Sequence, residues 1–416
     1  MRLIHTADWH LGHTLGGFAR DREHALFLAW LLERLEEERA DALVVCGDVF
    51  DQGNPPALAQ ARYYEFLAEA RRRMPALSLV VIGGNHDAAP RLDAPAPVLR
   101  ALGAHVRGAV ARLPCGSVDG PGSVVPLVGD SGDVEAVCAA VPFLRMADLC
   151  APGSSLVPGD AVVEGVRAAY ARALDHAREE ARANGAALVA LGHCHMSGAR
   201  LSDESERPVY GNAHALPVDI FPDDVAYAAL GHLHFAQEVG RANVRYSGSP
   251  IPLSMAERAY RHQVLAVDIV DGRASTRSLL VPRAVDLVRV PEEAAPVDEV
   301  LDRLRVLEVD ADVEPDELRP FLEVRVGLDA PCPDLRARVE QALEGKPVRL
   351  VRVHRELAGD GQPLADATPG VVLADLEPSA VLAKLYARTY GGDVPADLAG
   401  AFGELLEGVR TAKGAA

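Results

Sequence analysis

The sequence lacks the features that mark membrane and exported proteins. No apolar run approaches the roughly 18 residues that a membrane-spanning helix needs. The N-terminus begins directly on a strand-like segment, 2–6, without a cationic region followed by an apolar one. The six cysteines form no CxxC pair and show no disulfide-framework spacing, which is typical of free thiols in a reducing compartment. We therefore expect a cytoplasmic protein with no membrane association.

Positive charge is also scarce. The 416 residues include 42 Lys and Arg against 60 Asp and Glu, so the formal net charge is −18. A surface of this charge does not attract nucleic acid in general. A role on DNA would therefore require a local basic patch, bound cations or a basic partner. The composition is that of a globular protein, with 49% apolar residues, and the length predicts two or three domains.

The first two thirds of the chain alternate strand and helix patterns. Helices are predicted at 20–38, 57–73, 92–102 and 161–184, and a Gly-, Pro- and Ser-rich stretch at 114–135 predicts turns between short strands. Strands are predicted at 2–6, 42–46, 77–82, 186–191 and 225–230, and further strands at 244–247, 263–269 and 276–281 are expected to close the sheet. This alternation indicates a layered α/β fold for residues 1–282.

Composition changes after about residue 282. Residues 283–356 carry a strand, helix, strand, helix, strand pattern, with helices near 297–306 and 333–343, which suffices for a small α/β domain. Residues 357–376 are rich in Gly, Pro, Asp and Ala and are predicted to be a linker. The final segment, 377–416, contains two short amphipathic helices near 378–389 and 395–409. Helices this short bury little surface of their own, so they either dock on the body or wait for a partner.

Five short polar motifs each follow a predicted strand. They are Asp8-Trp9-His10, Gly47-Asp48, Gly84-Asn85-His86-Asp87, Gly192-His193 and Gly231-His232-Leu233-His234. Ligands of layered α/β proteins gather beyond the carboxyl ends of the strands, so these motifs can converge. Each motif alone is more simply interpreted as a turn or a surface segment. The five together, in this order, predict a metal site.

The residue types favour two divalent ions. Carboxylate, amide and imidazole ligands suit borderline metals such as Mn²⁺, Fe²⁺ or Zn²⁺. Two such ions bring four positive charges, whereas Asp8 and Asp48 bring two negative ones. The surplus can hold one hydroxide and one phosphodiester, as in two-metal hydrolysis of phosphate esters.

These motifs resemble the calcineurin-like metallophosphoesterase superfamily, whose fold is a layered β-sandwich flanked by helices. The flanking residues narrow the resemblance. Thr6–Gly12, Gly47–Asp51 and Tyr246–Ser254 look like the corresponding segments of the D subunits of bacterial SbcCD nucleases. The resemblance is strong over residues 1 to about 280 and rests on layout alone thereafter. It implies that 283–356 is a capping domain and that 377–416 is a helix pair that binds a partner.

The resemblance also implies roles for individual residues, carried over by matching motif. One ion is expected on Asp8, His10, Asp48 and His234, and the other on Asp48, Asn85, His193 and His232, with Mn²⁺ as the metal. His86 matches the catalytic histidine, which protonates the leaving 3′-oxygen or stabilises charge on the phosphate. Asp87 is expected either to orient that imidazole or to cap a turn.

Four neighbours of these motifs are assigned other roles. His13 is expected to lie beside the ligands or at the surface, and His195 is expected to lie beside the ligands, in both cases without binding metal. Cys194 is expected to pack in the core. Asp51 is a candidate for hydrogen bonds within the site.

The activity implied by the resemblance is that of a metal-dependent DNA nuclease subunit. It would cleave double-stranded DNA as an exonuclease and single-stranded DNA as an endonuclease, in DNA repair, recombination and replication. The implied partners are DNA and an SMC-like coiled-coil ATPase of the SbcC type, docked on the C-terminal helix pair. Helices 57–73 and 92–102 are expected to form a homodimer within a heterotetramer, through Leu58, Tyr63, Phe66, Leu67, Leu92, Val98, Leu99 and Leu102.

Two other functions compete with this one. The first is a metallophosphoesterase that acts on small-molecule phosphodiesters or on phosphoproteins. The second is a degenerate scaffold that recruits an ATPase to DNA without catalysis.

Overall fold

A computed structural model describes residues 1–111, 118–149, 159–201, 215–309, 315–330, 332–357 and 378–413. The chain divides into two compact units. The first comprises Met1–Asp286 and Glu314–Leu318, and the second comprises Leu287–Val313 and Arg319–Ala416. Within the described ranges, no helix has both the length and the apolar character needed to cross a membrane.

The first unit contains fourteen strands and six α-helices in its described part. In chain order the strands are β1 Arg2–Thr6, β2 Thr14–Leu15, β3 Phe18–Ala19, β4 Ala42–Cys46, β5 Ser78–Ile82, β6 Ala104–Arg107, β7 Val124–Val128, β8 Val134–Ala140, β9 Ala187–His193, β10 Val225–Gly231, β11 Gln237–Val239, β12 Arg241–Tyr246, β13 Gln263–Val270 and β14 Arg273–Leu280. The helices are α1 Asp21–Glu37, α2 Ala57–Arg73, α3 Ala89–Asp93, α4 Ala96–Ala101, α5 Met146–Leu149 and α6 Gly159–Asn184.

Two six-stranded sheets form the body of this unit. The first has the order β14-β13-β1-β4-β5-β6, and the second has the order β11-β12-β10-β9-β8-β7. In the first sheet β1, β4, β5 and β6 run parallel, whereas β13 pairs antiparallel with both β1 and β14. In the second sheet β8, β9, β10 and β12 run parallel.

Successive side chains of the buried strands pack into two different apolar cores, one on each face of the sheet. In β1, Leu3 packs into the apolar core shared by the two sheets, whereas Ile4 packs into the core that holds Phe27 and Leu31 of α1. Successive side chains of a strand point to opposite faces, so an all-apolar strand is covered on both sides. The expected β-sandwich flanked by helices is confirmed.

Two details of the predicted fold are wrong. The single helix predicted at 92–102 is replaced by two short helices, α3 Ala89–Asp93 and α4 Ala96–Ala101, because Pro95 has no backbone N–H to continue the first helix. The later strands do not close a single sheet, since β12 pairs with β10 in the second sheet while β13 and β14 extend the first. Hydrophobic periodicity identifies strands, but it carries no information on which strands pair.

The second unit has its own small core. The parallel strands β15 Leu287–Pro296, β16 Phe321–Leu328 and β17 Arg349–Leu357 lie in that order in one sheet. The helices α7 Val297–Arg305 and α8 Leu335–Ala342 pack on it through Val300, Leu304, Leu335 and Val339, all buried. Two further helices follow, α9 Pro378–Tyr390 and α10 Ala396–Lys413. The predicted linker 357–376 lies outside the described residues except for Leu357.

Candidate metal centre

The polar motifs meet at one edge of the sandwich, where strands of both sheets end. Asp8 follows β1, Asp48 follows β4 and Asn85 follows β5, all from the first sheet. His193 is the last residue of β9, and His232 comes directly after β10, both in the second sheet. The backbone N–H of Asp8 donates to the carbonyl oxygen of Gly47 at 3.0 Å, which joins the first two loops.

The backbone at this edge is held in an uncommon conformation. Six described residues other than glycine have positive φ, and four of them are predicted ligands: Asp8 at 54°, His10 at 46°, Asp48 at 47° and His232 at 104°. Such values are rare for residues with a Cβ and persist only where the surroundings enforce them. Because the strained residues are concentrated here, we infer that these loops are constrained so as to place the side chains of Asp8, His10, Asp48 and His232.

Close approach explains two of the motif glycines. Gly47 has φ of 86°, and a Cβ on it would overlap the His193 imidazole. A Cβ on Gly84 would overlap both the carboxylate and the backbone nitrogen of Asp48. These glycines therefore let three loops pack directly against one another.

Three imidazoles are oriented by hydrogen bonds from their Nδ1 atoms. The Nδ1–H of His193 donates to the carbonyl oxygen of Cys46 at 2.8 Å. Carboxylates accept from the other two, Asp51 from His10 at 3.2 Å and Glu257 from His234 at 2.9 Å. An imidazole fixed in this way offers its Nε2 lone pair to a metal.

One buried polar atom of this cluster lacks a hydrogen-bond partner in the described part of the chain. Nε2 of His10 is buried and has no hydrogen-bond partner among the described residues. A buried polar atom without a partner is costly, and a cation would satisfy it.

The Asp48 carboxylate lies close to two of these imidazoles. Its Oδ2 is 3.6 Å from Nε2 of His10 and 3.3 Å from Nε2 of His193. Ligand atoms of Asp8, His10 and His234 all lie within 4.8 Å of one another, as do those of Asp8, Asp48 and His193.

Asn85 and His232 complete the set. The Oδ1 of Asn85 is 2.9 Å from Nδ1 of His232 and 3.0 Å from Nε2 of His193. The backbone N–H of His232 donates to Oδ1 of Asp8 at 2.9 Å. The structure thus brings all seven predicted ligands together, and their donor types fit divalent cations.

Burial and charge shape the protonation of these groups. Burial lowers the pKa of His10 to about 4 and that of His232 to about 3, so both imidazoles are neutral and able to ligate at pH 7. Burial raises the pKa of Asp8 to about 7. Burial opposes ionisation of Asp48 and His193 as well, but their mutual attraction lowers the carboxyl pKa and raises the pKa of His193 to about 9. A metal ion that binds His193 therefore displaces the proton from its Nε2. Two fully buried carboxylates favour a compensating cation.

His86 occupies the exposed side of the cluster. Its backbone N–H donates to Oδ1 of Asp48 at 2.8 Å, and its Nδ1–H donates to the carbonyl oxygen of Asp51 at 2.8 Å. The ring centroid is 4.7 Å from that of His10. Since Nδ1 is engaged, Nε2 is the ring atom that can exchange a proton with a substrate.

The Asp87 carboxylate binds backbone N–H groups rather than the His86 imidazole, which corrects the expectation that it orients that ring. Its buried carboxylate accepts N–H bonds from Val49 at 3.1 Å, Phe50 at 3.0 Å and Gly84 at 2.8 Å. These bonds tie the loop of Asp48 to the loop of Asn85. Burial and the charge of Asp48 raise the Asp87 pKa to about 6. The turn-capping alternative is the closer description.

Sequence reasoning missed two positioning residues. Glu257 is fully buried, and besides His234 it accepts the backbone N–H of Leu253 at 2.8 Å. Arg145 donates through Nη2 to the carbonyl oxygens of Asp87 at 2.6 Å and Gly84 at 3.3 Å. Neither residue lies in one of the five polar motifs, and no local pattern in the sequence distinguishes either of them from an ordinary surface charge.

The four neighbours of the motifs, His13, Asp51, Cys194 and His195, lie near the predicted ligands. His13 places Nδ1 2.9 Å from Oδ1 of Asp51 and Nε2 2.9 Å from the Leu253 carbonyl oxygen. The hydrogen bonds expected of Asp51 are therefore present. Cys194 is buried in the core of the second sheet, as expected. His195 is half-buried, and its repulsion lowers the pKa of His232 slightly.

Comparison with known proteins identifies what the chain is similar to. Residues 1–236 match the family model of calcineurin-like phosphoesterases, and residues 283–390 match a model described as the type 5 capsule protein repressor C-terminal domain. The SbcCD nuclease D subunit of Rhodobacter capsulatus is 41% identical over 89% of this chain and 92% of its own length. The D subunit of the Escherichia coli SbcCD nuclease is 30% identical over 85% of each chain. The corresponding D subunit of Bacillus subtilis is 36% identical over 66% of this chain and 68% of its own length.

Proposed function

Since this chain belongs to the family of SbcCD nuclease D subunits, within the calcineurin-like phosphoesterases, we propose how its metal centre cleaves DNA. The chain is a phosphodiester hydrolase and nuclease subunit that binds divalent metal. The finer proposal is that two ions, Mn²⁺ in the cell, occupy the centre. The observation that carries it is that the Nε2 atoms of two imidazoles, His10 and His193, both lie close to Oδ2 of the buried Asp48 carboxylate.

We assign the ligands in two sets that share Asp48. Asp8, His10 and His234 complete one set, and Asn85, His193 and His232 complete the other. The short distances from Asp48 Oδ2 to an imidazole of each set support a bridging role. Asn85 contributes an oxygen without adding negative charge, which preserves the attraction of the site for a phosphodiester.

The residues around the proposed ions transfer a proton and position the loops. Ions held by these residues would supply electrostatic stabilisation of the phosphate and activation of water. His86 holds a proton at Nε2 for the leaving 3′-oxygen, while the Asp51 carbonyl fixes its ring. Asp87 ties the Asn85–His86 loop to the loop of Asp48. Arg145 binds the carbonyl oxygens of Gly84 and Asp87, on either side of Asn85 and His86 in the chain.

Purified protein tests the substrate assignment directly. With Mn²⁺ we expect cleavage of linear duplex DNA and of single-stranded circles, as well as hydrolysis of bis-p-nitrophenyl phosphate. An Asp48→Asn variant should lose all three activities, and Asp223→Asn, an exposed acid outside the centre, serves as the matched control. Hydrolysis of the small substrate with none of DNA, even with the ATPase present, would favour the small-molecule phosphoesterase.

We propose that an SbcC-type coiled-coil ATPase binds the C-terminal helix pair, in a cytoplasmic complex that acts in DNA repair, recombination and replication. The pair exposes large apolar side chains, namely Leu385, Leu398 and Leu405. Deletion after Asp375 should abolish co-purification with the ATPase and leave Mn²⁺-dependent cleavage in place. Undiminished co-purification would contradict this role.

We also propose a homodimer of this chain within that complex, through a smaller apolar surface than the helix patterns predict. Tyr63, Phe66, Leu67, Leu92 and Leu99 are buried in the unit's own core. Leu58, Val98 and Leu102 stay exposed, at 50%, 67% and 43%. Sedimentation of Leu58→Asp and Val98→Asp variants should show monomers, and wild-type sedimentation as a monomer would contradict the proposal.

A further inference from the structure

A cavity adjoins the metal centre at His234. Its volume is about 340 Å³, and its walls include Phe235, Tyr260, Arg261 and His262. Ligand pockets span roughly 300–1,000 Å³, so this one suits a small planar group rather than a duplex. Because His234 is a wall residue, a group in the cavity would lie beside the bond being cleaved.

The walls offer aromatic surface. The rings of Phe235 and Tyr260 are half-buried, with centroids 4.9 Å apart and planes inclined at 65°. His262 lies next to them, 6.1 Å from Tyr260 between ring centroids. It donates through Nδ1 to the Ser249 carbonyl oxygen at 2.9 Å. Half-buried aromatic rings beside a cavity are suited to stacking with an unpaired nucleobase.

Two arginines add positive charge at the same place. The guanidinium of Arg200 lies 4.8 Å from the Phe235 ring centroid, and Arg261 is an exposed wall residue. In the described part of the chain, neither side chain forms an ion pair with a carboxylate. Elsewhere exposed arginines such as Arg303 pair with acids. This spot is therefore a local basic patch on a chain of net charge −18, and unpaired arginines are suited to phosphate.

We infer that this cavity is the subsite for one unpaired nucleotide next to the scissile phosphate. The base stacks on the Tyr260 ring and contacts the inclined Phe235 ring at its edge, and the flanking phosphates bind Arg200 and Arg261. Bases in a duplex are already stacked, so the subsite accepts a frayed end or a single strand. The inference rests on the proposed nuclease function and specifies which part of the DNA the centre grips.

Single-stranded oligonucleotides with one abasic residue, moved along the strand, test the base-stacking part. Wild-type protein should lose about 10-fold in kcat/KM when the abasic residue is adjacent to the cleavage position, in keeping with the worth of one base–aromatic stack. Tyr260→Ala and Phe235→Leu should abolish most of this difference, and Tyr260→Phe should retain it. Mn²⁺ affinity, measured by calorimetry, should stay unchanged in each variant and shows that the centre is intact.

Charge reversal tests the phosphate contacts. Arg200→Glu and Arg261→Glu should raise KM for the oligonucleotide and flatten its dependence on salt. Arg172→Glu, the same change at an exposed site on α6, should do neither. Two results would overturn the subsite alone. One is a Tyr260→Ala variant that still loses about 10-fold in kcat/KM at the abasic residue. The other is the same KM and salt dependence in all three charge variants. Wild-type protein that hydrolyses bis-p-nitrophenyl phosphate but no oligonucleotide would instead overturn the nuclease function and the subsite with it.

Discussion

Glu257 provides a test of how strongly the buried surroundings tune the metal centre. Its Oε1 accepts the Nδ1–H of His234 at 2.9 Å, and its Oε2 accepts the Leu253 N–H at 2.8 Å. Burial would raise the pKa of this carboxyl, but His234 and the backbone bond lower it to about 2, so the group is charged at pH 7. The charge holds the imidazole in one tautomer and increases its basicity.

Glu257→Gln should weaken Mn²⁺ binding. The amide can keep one bond but places an NH₂ group against either Leu253 N–H or His234 Nδ1–H, because both of these groups donate. Loss of such a carboxylate behind a ligating histidine costs about 10–100-fold in metal affinity, or about 1.4–2.8 kcal/mol. The Mn²⁺ concentration that gives half-maximal activity should rise by that factor, while kcat at saturating Mn²⁺ should return to the wild-type value.

The matched control is Glu238→Gln, an exposed glutamate on β11 whose carboxylate lies 3.5 Å from the Arg245 guanidinium, away from the metal centre. Calorimetric titration with Mn²⁺ should give wild-type affinity for this variant. Wild-type affinity in Glu257→Gln as well would refute the reasoning that a buried carboxylate sets the strength of the His234 ligand.

Three further perturbations act on the same centre. Gly84→Ala should displace Asp48 and abolish Mn²⁺ binding, as measured by calorimetry, because the added methyl overlaps that carboxylate. Arg145→Ala should lower kcat about 10-fold or more with little change in Mn²⁺ affinity, since it frees the loop of His86 from its contacts at Gly84 and Asp87; Arg145→Lys should recover part of that loss. Removal of metal with EDTA should lower the melting temperature by roughly 5–10 °C, because ions at about 100 times Kd stabilise by about 2.7 kcal/mol and each kcal/mol is worth about 2–4 °C in a unit of this size. An unchanged melting temperature would argue against ions within the fold.

The convergence of the proposed ligands was largely predictable from the sequence. Asp8, Asp48 and Asn85 follow buried strands that run parallel in one sheet, so their convergence follows from the period of the strands and the direction of the chain. His193 and His232 required knowledge that a second sheet ends at the same edge. Strand patterns alone do not contain that information, and the resemblance supplied it.

Other features depend on contacts between residues that are distant in the chain. Glu257 reaches His234 across 23 residues, and Asp87 meets Val49 across 38. Local motifs carry no trace of such contacts, which is why the motif pattern predicts a role for Asp87 beside His86. Tyr63 likewise shows a helical apolar face in sequence, but only packing decides that it belongs to the core rather than to an interface.

An anomalous difference map from a Mn²⁺-soaked crystal tests the central claim most directly. Two peaks roughly 3.5–4 Å apart are expected. The Asp48 carboxylate should bridge them, with Asp8, His10 and His234 on one ion and Asn85, His193 and His232 on the other. A single peak, or peaks bound by residues outside this set, would contradict the two-metal account.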